Sequence, residues 1–187
     1  MNPQSTQETP FLENLKQLLG SIEHALQSKY YLSAQILIYA GIDSAAWLTS
    51  NTNEKVGERF QRWVNRWMLP AKPLPATAAD LYAARCAVLH TFTADSDMSK
   101  KGTARRIAYA TGQAIAKELQ ARLDSDSMGR SDLVVVHIDD LFDAFRLGYA
   151  NYFESLKSDP AAFARTKAKM DKYSIHIDGD ALKEFLE

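Results

Sequence analysis

Residues 77–93 have the sequence TAADLYAARCAVLHTFT, which predicts a helix with polar groups inside an apolar pattern. Thr77 followed by Asp80 resembles a capping box, so we expect the helix to begin there. Apolar side chains that predict a buried side recur at helical spacing, at Leu81, Ala84, Val88 and Phe92. Arg85 and His90 interrupt that pattern. A guanidinium binds phosphate and an imidazole transfers protons, so the pair indicates chemistry on a phosphate group.

The spacing of Arg85 and His90 sets a condition on this hypothesis. Five residues at about 100° each leave the two side chains about 140° apart around an ideal helix. They converge on one ligand if the helix ends near His90, or if a second copy of the chain supplies a facing helix. The β-branched Thr91 and Thr93, followed by a loop-like Asp-Ser-Asp, favour an end between residues 90 and 93.

Two helices are predicted before this stretch. A one-sided apolar stripe predicts a helix over about residues 8–27. Residues 30–49 are apolar almost all the way round, which indicates a central core helix rather than a membrane span. Asp43 lies inside this second helix. It requires either a cationic partner, for which the following arginine-rich segment is the nearest source, or a solvated position at the edge of the bundle.

A third helix is predicted from Val56, with an aromatic stripe that includes Trp63 and Trp67. Three arginines fall on its other side and are interpreted as an exposed face: Arg59, Arg62 and Arg66. Pro70, Pro73 and Pro75 are expected to end this helix and to connect it stiffly to residues 77–93.

The segment after His90 is strongly basic. We predict a loop over residues 93–102 and a further helix over about 103–123. Four cations without an acid among them lie near this junction: Lys100, Lys101, Arg105 and Arg106. Residues 55–122 contain twelve Lys or Arg and five Asp or Glu, although the whole chain has a net charge of −1. Such a local excess is suited to a polyanion.

The last third mixes strand and helix signals. Residues 133–138 predict a strand, Asp139 or Asp140 is expected to cap a helix through about Leu156, and Asp159-Pro160 starts another that ends near Lys172. Residues 173–178 resemble the first strand, and the two are expected to pair as a short ribbon. His137 and His176 fit strand packing better than a metal site, so no metal or other cofactor is predicted.

The length and composition of the chain limit the classes of protein to which it can belong. A chain of 187 residues with 46% hydrophobic residues is expected to form one domain, or one domain with an appendage. The single cysteine, Cys86, excludes a disulfide framework and a cysteine-based zinc cluster. The polar first ten residues show no signal peptide, so we expect a soluble cytoplasmic protein without a membrane segment.

The predicted helices that lead to Arg85-Cys-Ala-Val-Leu-His90 resemble the HEPN superfamily, whose motif is Arg-x(4–6)-His. The resemblance implies a mainly α fold, with an antiparallel helical bundle over residues 8–123. It leaves residues 124–187 as a helical extension packed on the same domain, with a short two-stranded β ribbon. Many members are metal-independent endoribonucleases that act as dimers with the motifs facing across the interface. Others are non-catalytic binding modules.

The resemblance implies a role for each candidate residue. His90 would exchange a proton with the ribose 2′-hydroxyl or the leaving 5′-oxygen, and Arg85 would hold the scissile phosphate. The four cations at 100, 101, 105 and 106 would position the RNA backbone. The implied partners are a second copy of the chain, RNA and an antitoxin-like protein.

Two functions stay open at this stage: an endoribonuclease, and a helical module that binds a protein or nucleotide without cleaving it. Cys86 separates them, because active members commonly have a polar residue such as Asn at that position. Structural roles are equally open for the motif residues. Arg85 can pair with Asp43 or Asp80 inside the bundle, and His90 can cap a helix end.

Overall fold

The computed structural model describes residues 10–50, 53–125 and 132–172. Its elements in chain order are α1 (Pro10–Gln27), α2 (Tyr31–Leu48), α3 (Val56–Trp63), a π-helical turn (Val64–Met68), α4 (Leu69–Ala71), α5 (Ala78–Thr91), α6 (Asp97–Lys100), β1 (Arg106–Ala110), α7 (Ala116–Ser125), β2 (Leu133–His137), α8 (Ile138–Leu156) and α9 (Pro160–Met170). The expected mainly α class is confirmed.

Two helices share the centre of the core. α2 is contacted by α1, α3, α5 and α8, which accounts for apolar residues on all of its sides. α8 comes from the predicted extension and buries nine residues, one more than the eight of α2. Among the described helices of residues 10–122, α2 has the most buried residues, in agreement with its prediction as a central core helix. One cluster of buried side chains runs from Phe11 to Leu156.

Glycine permits two close approaches of α8. A Cβ atom built on Gly41 of α2 would lie 2.4 Å from Cζ of Phe145, and one built on Gly148 would lie 2.9 Å from Cα of Met68. Met68 ends the π-helical turn, whose wider winding joins α3 to α4. Helical structure continues through Ala71, with Pro70 in the first turn of α4, and ends before Pro73. The end of the third helix thus falls among the three prolines that predict it.

The predicted helix over residues 103–123 is wrong in its first half. β1 occupies Arg106–Ala110, a turn with Gly112 at φ 62° follows, and only α7 is helical. β1 pairs in parallel with β2, with Arg106 opposite Leu133 and Ala110 opposite His137. The prediction of a helical bundle that is continuous to residue 123 is therefore wrong, because a strand interrupts the helices at Arg106–Ala110.

The strand expected at 133–138 is confirmed as β2, but the partner that the structure shows for it is β1. The proposed partner segment, residues 173–178, lies outside the described residues, as does His176. The cap expected from Asp139 or Asp140 is wrong. His137 is the N-cap of α8, and its Nδ1 accepts the backbone N–H of Asp139 at 3.3 Å. Asp159 caps α9 as predicted.

No helix in the described part of the chain is long and apolar enough to cross a membrane.

Candidate active site

The candidate site begins with the helix that carries it. The hydroxyl of Thr77 accepts the N–H of Asp80 at 3.1 Å, and the Asp80 carboxylate accepts the N–H of Thr77 at 2.9 Å. This is the predicted capping box, and it begins α5 at Ala78. The helix ends at Thr91, because Phe92 adopts a left-handed conformation with φ 54°. His90 therefore lies in the last turn, as the first of the two conditions requires.

Arg85 and His90 meet within one chain. Nη1 of Arg85 lies 3.3 Å from Nε2 of His90. A guanidinium only donates, so Nε2 is the acceptor in this hydrogen bond. The long arginine side chain spans the angle that separates the two positions on the helix, so no second copy of the chain is needed to bring the groups together.

Asp43 fixes the other edge of the guanidinium. Nε of Arg85 donates to Oδ2 of Asp43 at 2.7 Å, and Nη2 approaches the same oxygen at 2.5 Å. Both side chains are mostly buried, with 16% and 19% exposed. Burial alone would lower the pKa of Arg85, but the hydrogen bond and charge of Asp43 outweigh it and raise that pKa. Asp43 thus has the cationic partner predicted for it, and Arg85 is fully charged.

A cleft of about 350 Å³ opens beside His90. His90, Cys86 and Tyr82 line it from α5, and Lys100 lines it from α6. The thiol of Cys86 interacts with the hydroxyl of Tyr82 and the guanidinium of Arg85. Burial, followed by the Cys86 thiol, raises the pKa of Tyr82. The cleft therefore contains a hydroxyl, a thiol, an imidazole and an ammonium group, together with the carboxylates of Asp95 and Asp97.

The four predicted RNA-contacting cations divide into two pairs. Lys100 and Lys101 are exposed, and Lys100 faces the cleft. Arg105 instead donates from Nη2 to Asp80 at 2.7 Å and to the carbonyl of Pro75 at 3.0 Å. Arg106 pairs with Asp132 and, at 3.4 Å, with Asp95. Arg105 thus stabilises the beginning of α5, and Arg106 lies at the first position of β1. Only Lys100 is brought to the same cleft as His90.

No protein-family model, no curated protein and no solved structure matches this chain. What the cleft does must therefore be argued from its own residues.

Metal binding was not predicted from the sequence. In residues 10–50, 53–125 and 132–172, no group of three or more His, Cys, Asp or Glu side chains could hold a metal ion. His137 has a structural role, because Nε2 lies 3.1 Å from the carbonyl oxygen of Gly112 while Nδ1 caps α8.

Sequence reasoning missed a second cationic site, which lies between α3 and α9. Arg62 and Arg66 line it, as does Arg165. The sequence did contain a signal, because Arg62 and Arg66, like Arg165 and Lys169, are spaced four residues apart and share a helix face. We had interpreted the first pair as an ordinary exposed face.

Proposed function

We propose that this chain is a HEPN-like protein whose Arg85 and His90 cleave RNA without a metal. The observation that carries the proposal is the 3.3 Å contact between a guanidinium held by Asp43 and an imidazole at the edge of a cleft. One group is suited to hold a phosphodiester, and the other to accept a proton.

The proposed reaction uses the edge of Arg85 that Asp43 leaves open. Nε and Nη2 are occupied by the carboxylate, so Nη1 is the nitrogen left to bind substrate. A non-bridging phosphate oxygen replaces His90 as the acceptor of its hydrogen bond. Nε2 of His90 is then free to accept the proton of the ribose 2′-hydroxyl. The 2′-oxygen attacks phosphorus and the bond to the 5′-oxygen breaks, which leaves a 2′,3′-cyclic phosphate. Arg85 offsets the negative charge that builds up on the phosphate.

A homodimer is part of the proposal. The leaving 5′-oxygen needs a proton, and the His90 of a second copy, in its protonated form, would supply it if the two α5 helices lie near a twofold axis. The first His90 keeps the proton of the 2′-hydroxyl, so the two residues exchange roles over one turnover. Light scattering at tens of micromolar, an order-of-magnitude concentration for a weak dimer, is expected to give twice the chain mass. A monomer at that concentration contradicts the dimer. The proposed setting is the cytoplasm, where RNA is available.

The test is cleavage of single-stranded RNA in EDTA, with detection of 2′,3′-cyclic phosphate ends. His90→Ala is expected to reduce the rate by about 10²–10⁴-fold, the usual effect of losing a placed acid or base. Arg85→Lys should also impair cleavage, because a point charge cannot reproduce the planar fork. His24→Ala, the same change at an exposed position on α1, is the matched control. Equal rates in wild type and His90→Ala overturn the proposal.

A second function is favoured by one observation. The carboxylate of Asp43 engages two of the three nitrogens of the Arg85 guanidinium, which leaves few donors for a transition state, and the neighbouring Cys86 also contributes to the raised pKa of Arg85. A non-catalytic module would use the same cleft to bind a nucleotide or a protein, such as an antitoxin-like partner. It predicts RNA or protein binding without cleavage by the wild type. Restored cleavage in Cys86→Asn would show that the thiol had silenced the site.

A further inference from the structure

A second cleft lies on a different part of the molecule. It has a volume of about 210 Å³ and is enclosed by the end of α2, the α3 region, α8 and α9. Arg62 and Arg66 line one side, and Arg165 of α9 lines another. Trp67 and Tyr152 form an aromatic wall, with their rings 5.6 Å apart in an edge-to-face arrangement. Three guanidinium groups thus surround a small space between packed helices.

Lys169 of α9 adds a positive charge next to the cleft, because it binds Ser50, one of the lining residues. Nζ of Lys169 donates to the carbonyls of Trp47 and Ser50, both at 2.6 Å. Burial lowers the pKa of Lys169, and the charges of Arg59 and Arg62 lower it further. The charges of Arg59 and Arg62 each act on Lys169 more strongly than the opposing charge of Glu54.

Only one of the three lining arginines is fully engaged by a carboxylate. Arg62 donates from Nε and Nη2 to Glu54, at 2.7 and 2.9 Å. Arg66 lies over the ring of Trp67 at 4.9 Å, a cation–π contact that does not require its N–H groups. In the described part of the chain, neither Arg66 nor Arg165 has a carboxylate partner. Two charged forks are therefore available to a ligand.

The hydroxyl groups of the cleft are already satisfied. Thr166 donates to the carbonyl of Ala162 at 2.8 Å, so the hydroxyl of Tyr152 donates to Thr166 at 2.5 Å. Among the residues that the structure describes, Asp159 is the one acid that lines the cleft, and its Oδ1 accepts the N–H of Ala162 at 2.8 Å. Guanidinium groups rather than neutral donors thus define what the cleft recognises.

We propose that this second cleft binds the phosphate group of a small phosphorylated molecule, through Arg66 and Arg165. Planar guanidinium forks match the oxygens of phosphate in pairs, and charge-assisted bonds of this kind are stronger than neutral ones. A volume of 210 Å³ lies below the range of about 300–1,000 Å³ that is usual for drug-sized ligands, so the occupant is compact. The site shares no lining residue with the cleft of His90.

Pyrophosphate is the probe, and binding is measured by isothermal titration calorimetry and by Trp fluorescence. The double variant Arg66→Gln/Arg165→Gln is expected to bind at least about tenfold more weakly than wild type, because two charge-assisted contacts are lost. The matched control is Lys117→Gln/Arg122→Gln on α7, which removes the same charge away from the cleft and should bind like wild type. Circular dichroism verifies that both variants are folded.

A variant that is expected to strengthen binding rather than weaken it makes the test sharper. Asp159→Asn keeps a side chain that can cap α9 but removes the only negative charge lining the cleft, so pyrophosphate should bind severalfold more tightly. A purely structural role for these residues would not produce tightening. Wild type without measurable binding at millimolar pyrophosphate overturns the proposal, as does equal affinity in wild type and the Arg66/Arg165 double variant.

RNA is the competing source of phosphate. A labelled single-stranded RNA is titrated with and without pyrophosphate. If Arg66 and Arg165 are needed for RNA binding while pyrophosphate neither binds nor competes, the occupant is a nucleic-acid backbone and the proposal is wrong. His90→Ala should bind pyrophosphate like wild type, so failure of the cleavage proposal is distinguishable from failure of this one.

Discussion

Arg85 and Asp43 join α5 to α2 through two guanidinium nitrogens that share one carboxylate oxygen, Oδ2. The same guanidinium reaches His90 from its third nitrogen. The core helix thereby fixes the orientation of the residue that we propose to hold phosphate. Packing and chemistry are coupled at this point, so substitutions at Asp43 should affect both.

Asp43→Asn keeps the shape of the side chain but removes the charge that neutralises Arg85. Because Arg85 is only 16% exposed, the loss is expected to cost about 1–3 kcal/mol in the free energy of unfolding. Urea unfolding at pH 7 measures it. Asp171→Asn, whose side chain is 62% exposed, is the matched control and should change stability by less than about 0.5 kcal/mol. An unchanged midpoint in Asp43→Asn contradicts the importance of the pair.

Asp80 has both a capping and an ion-pairing role, and it is only 3% exposed. Burial alone would raise its pKa, but hydrogen bonds from Thr77 and Arg105 prevail and lower the pKa from the ordinary value of 3.8. A lowered pKa in the folded state contributes stability above the unfolded pKa, and this contribution is lost as the pH falls through the folded value. Asp80→Asn should therefore cost about 2–4 kcal/mol at pH 7.

The difference between wild type and Asp80→Asn should shrink as the pH falls below about 4, because protonation removes the same charge in the wild type. Urea unfolding at pH 7, 4 and 3 measures this difference. A gap that is independent of pH would show that the carboxylate charge does not contribute.

Tyr39 of α2 and Tyr109 of β1 form a hydrogen bond of 2.6 Å between their hydroxyl groups. Tyr109→Phe should leave the buried hydroxyl of Tyr39 without this partner and cost about 1–3 kcal/mol. The double variant Tyr39→Phe/Tyr109→Phe should be more stable than Tyr109→Phe alone, since neither polar group then remains buried. Thermal unfolding of Tyr39→Phe, Tyr109→Phe and the double variant gives the coupling energy, and strictly additive effects would argue against the bond.

Burial raises the pKa of both tyrosines. An acid with a raised folded pKa stabilises the fold below its unfolded pKa, near 10, and loses that contribution as the pH rises above it. Stability should consequently fall above about pH 10 in wild type. The decline should be smaller in the double Phe variant.

Gly148 of α8 tests the close approach to the π-helical turn. Its added Cβ would lie 2.9 Å from the backbone Cα of Met68, so Gly148→Ala should destabilise by about 1–3 kcal/mol through overpacking. Gly20→Ala on α1 is the matched control. Nothing lies within 4 Å of the added methyl, and the exchange should stabilise α1 by about 0.5–1 kcal/mol. Equal melting temperatures for the two variants would contradict this packing.

Local sequence patterns predicted α1, α2 and α5 well, because apolar periodicity and the Thr77–Asp80 capping box act within a few residues. They failed at β1 for a physical reason. Residues 106–110 become a strand through pairing with β2, which lies more than twenty residues further along the chain, and no local pattern records that pairing.

At the candidate site, the sequence indicated the partner of Asp43 but not the approach of Arg85 to His90. Helix-wheel angles describe where Cβ atoms point, and they ignore the reach of a long arginine side chain. The second cleft is assembled from α2, α3, α8 and α9, so its composition depends on tertiary packing rather than on any one segment.

The place of α8 at the centre of the core has a consequence for biosynthesis. α8 begins roughly 90 residues after α2 ends, which at about 5–20 residues per second corresponds to a delay on the order of 5–20 s on the ribosome. Throughout that delay, the side of α2 that α8 will cover is exposed to other nascent chains and to chaperones. A chain truncated before Ile138 would therefore be prone to aggregate. The speed of translation between these helices should influence the yield of soluble protein.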